Sequence, residues 1–437
     1  MTKEPDVFIA RPAERPLRGT VRVPGDKSIS HRAVLVSLLA PGRSVVSGIN
    51  LGNDVRATCR VAEQIGGGVR LRPEAAEVEI DGCGWDGLRE PVGQLDAGNS
   101  ATTMRLALGV CSGLPGTATL TGDASLLRRP MLRVVRPLRA MGATIDGPYG
   151  GARGPLTVRG GELHGISWVG EVASAQVKSA ILLAALRARG TTSYTEPAPT
   201  RDHTERMLTS SGVTLRRYGC TVEVEGGQSI QPRRRRVPGD LSAATFVATA
   251  AAIVPGSDVR IEEVGLNPTR TAAIGVLSRM GADITTSVEG EDAGEPYGEM
   301  TVRGGSLRAT TIGPEEVPGL IDELPALAVA ASQATGTTVV RGARELRTKE
   351  SDRIETIVDG LRSAGAEASS FDDGFSISGP RRLRSGRVPS HGDHRIALAL
   401  ATGGLAADGP LEIDEWSSAA VSFPGWEETM ATLRDDG

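Results

Sequence analysis

The chain has 437 residues, which is too long for one ordinary hydrophobic core and indicates two domains of about 200 residues each. Its formal charge is −4 and only 3% of its residues are aromatic, which argues against a nucleic-acid-binding protein and favours a small ligand. No apolar segment reaches transmembrane length, and the first ten residues lack the pattern of a signal or transit peptide, so we expect a cytoplasmic location.

One pattern recurs six times along the chain: an apolar helix, a turn with glycine, a β-branched strand and a charged helix. The turn reads LLAPGRSV, SGLPGTAT, LRARGTTS, AIVPGSDV, QATGTTVV and AADGPLEI. The first helix of each unit is apolar nearly all round, which predicts burial on every side, whereas the second has one charged face, which predicts an outer position. In the first five units a further glycine is expected to end the second helix, and these residues are Gly66, Gly142, Gly212, Gly281 and Gly365. The predicted fold class is therefore α/β (α+β), with three units in each domain.

The tetrapeptide Val-Pro-Gly-Asp occurs at Val23 and again at Val237, directly before the first apolar helix of each set of three units. We predict that Pro and Gly set a turn, and that Asp lies near the helix N-terminus. The two segments are expected to be paired crossover strands. The predicted boundaries are one domain of residues 1–22 plus 238–437, a second of residues 23–237, and a hinge at 20–25 and 236–240.

Polar and charged residues collect where the predicted helices begin. The N-termini of the predicted buried helices lie at DKSISHR, GNSATTMR, ASAQVKS, GDLSAATF, IDELPA and GDHRIA, and those of four outer helices lie at LRRPM, TRDHT, NPTRT and RTKESDRI. Free N–H groups make helix N-termini attractive to anions, so we expect six of them to converge on one anion-binding cleft. Cations at these positions oppose the helix dipole, which indicates that they serve a ligand rather than the helix.

The chain resembles the 5-enolpyruvylshikimate-3-phosphate (EPSP) synthase family, in its glyphosate-tolerant bacterial branch, from near Arg15 to near Thr432. The resemblance rests on nine segments in order: VPGDKSISHR, GNSATTMR, GDASLLRRPM, ASAQVKS, TRDHTE, NPTRT, IDELPALAVAA, LRTKESDRI and DHRIA. It implies a two-domain inside-out α/β barrel of six βαβαββ units around buried parallel helices. It also implies transfer of the enolpyruvyl group of phosphoenolpyruvate to the 5-hydroxyl of shikimate 3-phosphate, through a tetrahedral intermediate and with release of phosphate, on the shikimate pathway to chorismate and the aromatic amino acids. No cofactor and no metal are implied, and we expect a monomer without nucleic-acid or membrane partners.

The resemblance assigns roles to residues at the helix starts. The two substrates together carry roughly five to six negative charges, so several cations are needed. Lys27 would reach both substrates, Asp322 would take the hydroxyl proton, and Glu350 would serve the methylene carbon. Shikimate 3-phosphate would be bound by Ser28, Arg32, Ser174, the backbone of Ala175, Gln176, Arg201 and Lys349, and phosphoenolpyruvate by Ala101, Arg129, Arg353 and Arg395.

Several of these residues have a second interpretation. Asp322 also suits a cap for the helix that follows it, and Lys349 with Glu350 suits an exposed charged pair on a helix. Asp54 is interpreted as a helix cap, and the basic run QPRRRRV at 231–237 as a solvated linker rather than a nucleic-acid patch. Arg129 is preferred to Arg128 as the residue that binds phosphoenolpyruvate only because Arg129-Pro130 matches the Arg-Pro of the family. The four cysteines form no CxxC, which indicates reduced structural thiols.

The chain departs from the family pattern at three positions. Ala175 replaces a serine that is common elsewhere, so only its backbone is expected to contact ligand. Ala101 replaces a glycine that many members have, and its methyl group would crowd the phosphoenolpyruvate pocket against bulkier analogues, so we expect reduced sensitivity to glyphosate. Val421 stands where many members have lysine, which leaves Lys27 as the candidate that protonates the departing phosphate.

Besides a diverged homologue that acts on a different cyclic alcohol in a specialised pathway, two rival functions remain open at the level of sequence. The UDP-N-acetylglucosamine enolpyruvyl transferases resemble this family, but they use a cysteine in the loop that here reads GDASLLRR. A non-catalytic repeat protein that binds phosphorylated ligands is the other, and it gives no reason for Asp322 and Glu350 to lie among so many cations.

Overall fold

The computed structural model describes residues 6–435, and the chain divides into two compact units. The inserted unit contains Gly25–Val237 and Glu291–Glu295. The flanking unit contains the described residues up to Pro24, then Pro238–Gly290 and the residues from Pro296 onward. Nothing in the sequence indicated that residues 291–295 would belong to the inserted unit. The hinge at 20–25 and 236–240 stays a prediction.

The first part of the chain contains two strands and then the elements of the inserted unit. The strands are β1 Val7–Ala10, β2 Arg18–Arg22, β3 Gly42–Ser47, β4 Gly68–Arg72, β5 Glu77–Gly82, β6 Leu95–Asp96, β7 Thr117–Thr121, β8 Thr144–Asp146, β9 Leu156–Arg159, β10 Ser167–Val169, β11 Thr191–Thr195, β12 Leu215–Tyr218, β13 Thr221–Glu225 and β14 Arg234–Arg236. The helices are α1 Lys27–Leu38, α2 Asn53–Gln64, α3 Ala101–Cys111, α4 Ala124–Leu127, α5 Leu132–Ala140, the single turn α6 Pro148–Gly151, α7 Ala175–Ala185 and α8 His203–Ser210, with a 3-10 turn at Pro73–Ala75.

The remainder of the chain forms most of the flanking unit. Its strands are β15 Asp258–Gly265, β16 Asp283–Asp292, β17 Glu295–Arg303, β18 Thr311–Ile312, β19 Gly336–Val340, β20 Glu367–Phe371, β21 Gly374–Gly379, β22 Gly386–Val388 and β23 Leu411–Asp414. Its helices are α9 Leu241–Ile253, α10 Ala272–Arg279, α11 Val317–Leu320, α12 Leu324–Gln333, α13 Arg353–Ser363, α14 His394–Gly404 and α15 Trp426–Asp435, with 3-10 segments at Arg344–Thr348 and Trp416–Val421.

The six sheets share one topology, in which an edge strand pairs in parallel with the next strand and that strand pairs antiparallel with a third. The orders are β14-β3-β5-β4, β6-β7-β9-β8 and β10-β11-β13-β12 in the inserted unit, and β2-β15-β17-β16, β18-β19-β21-β20 and β22-β23-β1 in the flanking unit. A buried helix connects each parallel pair, apart from the two pairs whose edge strand comes from a distant part of the chain. This is the predicted βαβαββ repeat, and the sixth copy is completed by the N-terminal strand β1.

The two Val-Pro-Gly-Asp segments cap helices and are not strands. β2 ends at Arg22 and pairs with β15, whereas β14 ends at Arg236 and pairs with β3, so the strands before the two segments lie in different sheets. The prediction of paired crossover strands is therefore wrong. The predicted position of the aspartates is confirmed, because Asp26 accepts a hydrogen bond from Ile29 N and Asp240 accepts one from Ser242 N, each at 2.8 Å.

The basic run before Val237 is part of a sheet and not a solvated linker, so that interpretation is wrong. Arg234–Arg236 pairs in parallel with β3. Arg235 is 3% exposed and its Nη2 donates to Ser211 Oγ at 3.1 Å. Burial lowers the pKa of Arg235, because a charged group loses hydration in the interior. The partner strand β3 lies about 190 residues earlier in the sequence, so a pattern of neighbouring residues could not indicate this pairing.

Each unit has its own hydrophobic core, built around the apolar helices that the sequence predicted to be enclosed. In α9 every residue from Leu241 to Ile253 is buried, and the other five helices are buried over most of their length. The second helices bury one face only, as predicted. The five glycines expected to end them have φ between +83° and +130°. Among the described residues no helix combines the length and apolarity needed to cross a membrane, and the four cysteines are free.

Candidate active-site clusters

Within each unit, the first turns of the buried helices lie beside one another. In the inserted unit, Gln176 of α7 donates to Thr102 Oγ1 of α3 at 2.9 Å, and Arg32 of α1 donates to Ser179 Oγ of α7 at 2.9 Å. In the flanking unit, Ser242 of α9 donates to the carboxylate of Glu323, the residue directly before α12. Each unit therefore gathers unpaired amide groups and the positive ends of its helix dipoles in one place, which suits an anionic ligand.

Lys27 is the first residue of α1 and its side chain is 13% exposed. Its Nζ lies 3.2 Å from Asp54 Oδ2, and that carboxylate is 12% exposed. The N-cap of α2 is Gly52 and not Asp54, so the interpretation of Asp54 as a helix cap is wrong. Asp54 instead supplies a countercharge that holds Lys27 in place.

Arg32 is 2% exposed, and each of its three guanidinium nitrogens donates a hydrogen bond within the unit. Nε donates to Thr204 Oγ1 at 2.8 Å, and Nη1 donates to the carbonyl oxygen of Ser28 at 2.9 Å. Burial lowers the pKa of Arg32, Glu205 raises it, and Arg201 lowers it again, so Arg201 lies close enough to repel it. Two guanidinium groups in one neighbourhood give this part of the unit a positive charge that suits an anion.

Burial distinguishes Arg129 from its neighbour. Arg129 is 6% exposed and its Nη2 donates to Asn99 Oδ1 at 2.7 Å, whereas Arg128 is exposed to solvent. Asn99 in turn donates to Asp123 Oδ2 at 2.6 Å. Ala101, the first residue of α3, is 6% exposed and follows closely on Asn99 in the chain. The preference for Arg129 thus gains a structural reason.

The start of α7 carries three residues that the sequence assigned to a substrate. Ser174 is the N-cap and accepts a hydrogen bond from Val177 N at 3.4 Å, and Ala175 and Gln176 are half-buried. Arg105, which the sequence analysis did not single out, donates to Gln176 Oε1 at 2.6 Å. Its position inside the GNSATTMR segment was the only sequence signal for this contact.

Arg353 is the centre of the cluster in the flanking unit. It is 1% exposed, and three carboxylates surround it. Its nitrogens lie 2.8 Å from Asp393 Oδ2, 2.6 Å from Glu350 Oε2 and 3.4 Å from Asp322 Oδ1. Burial acts to lower the pKa of Arg353, but the carboxylates outweigh it and raise that pKa above its ordinary value. Arg353 therefore stays charged and keeps the three carboxylates close together.

Asp322 lies between two guanidinium groups. Arg395, which is 5% exposed, places its Nε 3.7 Å from Asp322 Oδ1 and donates from Nη1 to the Asp322 carbonyl oxygen at 3.1 Å. The N-cap position of α12 belongs to Glu323, and the side chain there makes no capping hydrogen bond. The geometry thus brings Asp322, Arg353 and Arg395 together.

Lys349 and Glu350 precede α13, which begins at Arg353, so they are not an exposed pair on a helix and that alternative is wrong. Both are half-buried. Loss of hydration lowers the pKa of Lys349, and the nearby carboxylate of Asp322 counteracts that effect. The ammonium group thus lies in the same cluster as the carboxylates.

Asp393 is the main residue of this cluster that the sequence analysis did not assign. It is fully buried, and it caps α14 by accepting from Arg395 N at 2.9 Å. The same carboxylate accepts from Arg353 Nε at 2.8 Å and from Ser351 Oγ at 3.0 Å. Asp393 therefore holds the side chain of Arg353 and the backbone of Arg395. The sequence signal was its position in DHRIA, directly before the helix.

Within residues 6–435 no group of three or more His, Cys, Asp or Glu side chains is arranged to hold a metal ion. The chemistry available in the clusters is that of carboxylates, ammonium and guanidinium groups.

Comparison with known proteins agrees with this architecture. The profile of the family described as EPSP synthase (3-phosphoshikimate 1-carboxyvinyltransferase) matches residues 12–430. A protein of Shouchella clausii (strain KSM-K16) named 3-phosphoshikimate 1-carboxyvinyltransferase is 49% identical over 422 residues, which cover 97% of this chain and 98% of that protein. One with the same name from Alkalilimnicola ehrlichii is 50% identical over 413 residues, which cover 94% and 92%.

Solved structures give the same result. An EPSP synthase from Acinetobacter baumannii has a TM-score of 0.87 at 41% identity and covers 98% of both chains. The enolpyruvyl transferase NikO from Streptomyces tendae has a TM-score of 0.80 at 16% identity, and it shares the fold. The fold is the inside-out α/β class, with six repeats in two domains. The chain belongs to the EPSP synthase family, and it is an enzyme, a carboxyvinyltransferase of the shikimate pathway.

Proposed function

We propose that the protein transfers the enolpyruvyl group of phosphoenolpyruvate to the 5-hydroxyl of shikimate 3-phosphate and releases phosphate. The family acts on these two substrates. The observation that carries the proposal is that Asp322 and Glu350 contact the same guanidinium, that of Arg353. A transfer that moves one proton at oxygen and another at carbon needs two acid–base groups near one another, and a cation beside them to bind the anionic substrate.

In the addition step, Asp322 accepts the proton of the 5-hydroxyl while that oxygen bonds to C2 of phosphoenolpyruvate. Glu350, which first takes up a proton from solvent, gives that proton to the methylene carbon, which becomes a methyl group. In the elimination step, Glu350 takes a methyl proton back, the bond from C2 to the phosphate oxygen breaks, and Lys27 protonates the departing phosphate. The proton that left the hydroxyl is thus balanced by the one that leaves with phosphate, once Asp322 and Lys27 return to their starting states.

The anions are held by the remaining assigned residues. Arg353, Arg395 and Arg129 bind phosphoenolpyruvate, and the methyl group of Ala101 bounds that pocket. Shikimate 3-phosphate is held by Ser28, Arg32, Ser174, Ala175, Gln176, Arg201 and Lys349. In this assignment Arg32 acts mainly as a fixed positive charge, since its hydrogen bonds are directed within its own unit.

The decisive assay measures phosphate release from phosphoenolpyruvate, with shikimate 3-phosphate or UDP-N-acetylglucosamine as the acceptor. We expect turnover with the first acceptor alone. Turnover only with the second would identify the rival transferase, and binding without any turnover would identify a non-catalytic protein. The free cysteines suit a reducing compartment, and we propose the cytoplasm.

The roles of the two carboxylates are separable by isotope exchange. In deuterated solvent, reversible addition and elimination exchange the methylene hydrogens of phosphoenolpyruvate. Glu350→Gln should abolish this exchange, because its amide neither gives nor takes the carbon-bound proton. Asp322→Asn should slow turnover about 100- to 10,000-fold, the usual contribution of a general base. Asp352→Asn, two residues from Glu350, is the matched control and should retain both activities.

A further inference from the structure

Lys178 carries a charge deep in the inserted unit, and the proposed mechanism does not use it. It lies on α7 and is 1% exposed. Its Nζ is 2.8 Å from Glu196 Oε1 and 2.7 Å from Glu205 Oε1, and these carboxylates are 6% and 4% exposed. We call these three residues the Lys178 triad. Two buried carboxylates around one ammonium are costly to desolvate, and such groups contribute little net stability compared with apolar replacements.

The Lys178 triad joins the two ends of the loop between β11 and α8. Glu196 directly follows β11, and Glu205 lies in the first turn of α8. The connection between them, 197–204, carries Arg201. Thr200, the residue before that arginine, donates its hydroxyl to Glu196. Lys178 therefore ties both ends of the segment that carries Arg201 to a single point on α7.

Two residues next to the Lys178 triad in the chain accept hydrogen bonds from Arg32, the second cation assigned to shikimate 3-phosphate. Ser179 follows Lys178 in the chain and Thr204 precedes Glu205. The hydroxyls of Ser179 and Thr204 accept from Arg32 at 2.9 and 2.8 Å and lie 2.6 Å from each other. A shift of α8 against α7 would therefore move the acceptors of Arg32 as well as the segment that carries Arg201.

We propose that the Lys178 triad is a positioning device that sets the spacing of Arg32 and Arg201, and so sets the affinity of the enzyme for shikimate 3-phosphate but not for phosphoenolpyruvate. The inference rests on the proposed function, which assigns both arginines to shikimate 3-phosphate. The triad residues do not touch substrate in this assignment. They act through the two arginines, which must face one anion despite repelling each other.

The test compares Lys178→Met with the neutral triple variant Lys178→Met/Glu196→Gln/Glu205→Gln. The triple variant leaves no carboxylate of the triad without its ammonium partner, so it keeps the experiment informative where the single variant fails to fold. Val222→Ala is the matched control, since Val222 is buried in the adjacent strand β13 and its truncation weakens the same core. For each variant we would measure the melting temperature, the KM of each substrate at saturation with the other, and the Kd of shikimate 3-phosphate by calorimetry.

We expect the KM and Kd for shikimate 3-phosphate to rise at least tenfold in the triple variant, with the KM for phosphoenolpyruvate and kcat within threefold of wild type. The control should lower the melting temperature and leave both KM values in place. Unchanged affinity in a folded triple variant, or parallel losses for both substrates, would overturn the proposal. Wild-type binding without turnover would overturn only the proposed reaction, whereas absence of wild-type binding would overturn both.

Discussion

Replacement of Asp393 by asparagine should disable the Arg353 cluster without removing a helix cap. Asparagine caps helices about as well as aspartate, so the hydrogen bond to Arg395 N can persist. What is lost is the negative charge that Arg353 contacts through Nε at 2.8 Å and Nη2 at 3.2 Å. One of these contacts would become an unfavourable meeting of two N–H donors.

The expected size of the effect follows from burial. Removing one partner of a buried ion pair costs about 3–5 kcal/mol, and we take the lower end because Arg353 keeps Glu350 and Asp322. In a unit of roughly 200 residues, a loss of about 3 kcal/mol lowers the melting temperature by about 6–12 °C. A misplaced Arg353 should also reduce kcat/KM for phosphoenolpyruvate about 100-fold, the usual effect of a displacement of about 1 Å.

The assay is steady-state phosphate release, together with thermal unfolding. Asp352→Asn is the matched control, because Asp352 caps the neighbouring helix α13 but is 36% exposed and pairs with Arg347. A surface pair of that kind contributes about 0–1 kcal/mol, so this variant should stay close to wild type. If Asp393→Asn kept wild-type kcat/KM, or if both variants lost activity equally, the argument from Arg353 would be refuted.

Three further predictions test other parts of the site. Arg129→Ala should lower kcat/KM for phosphoenolpyruvate roughly 10- to 150-fold, the equivalent of about 1.5–3 kcal/mol for a charged hydrogen bond, whereas Arg128→Ala should not; equal losses would contradict the assignment based on burial. Ala101→Gly should lower the inhibition constant of glyphosate, and an equal constant in wild type would remove the steric explanation. Burial lowers the pKa of His31, and the positive charges of Lys27 and Arg32 lower it further. As the pH falls below about 6.5, His31 therefore binds a proton in the unfolded chain before it does so in the folded protein. The free energy of unfolding should then drop by about 1.4 kcal/mol for each pH unit. Urea unfolding between pH 4.5 and 7.5 should show this slope in wild type and in His391→Asn, a control at an exposed histidine. The slope should be absent in His31→Asn. A slope that persisted in His31→Asn would exclude His31 as its source.

The positions of the assigned residues at helix starts could be predicted because their signals are local, whereas the roles of these residues come from the family resemblance and stay predictions. An apolar helix, its aspartate or serine cap and the cation beside that cap lie within a few residues of one another, as in the segment from Asp26 to Arg32. The helix periodicity and capping chemistry of such a segment do not depend on the rest of the chain. The same reasoning failed where a residue's partner was distant, as for Asp54, which contacts Lys27 and does not cap its own helix.

The repeat order, the enclosed helices and the collection of cations at their first turns were thus determined by the amino-acid sequence itself. Only the tertiary structure decided that Arg234–Arg236 completes the sheet of β3, that β1 completes the last sheet, and that Asp393 and Lys178 hold their partners in the interior. The physical reason is that edge pairing and buried ion pairs join residues far apart in the chain. Nothing in a local pattern specifies which strand edge or which opposite charge a residue will meet once the core has closed.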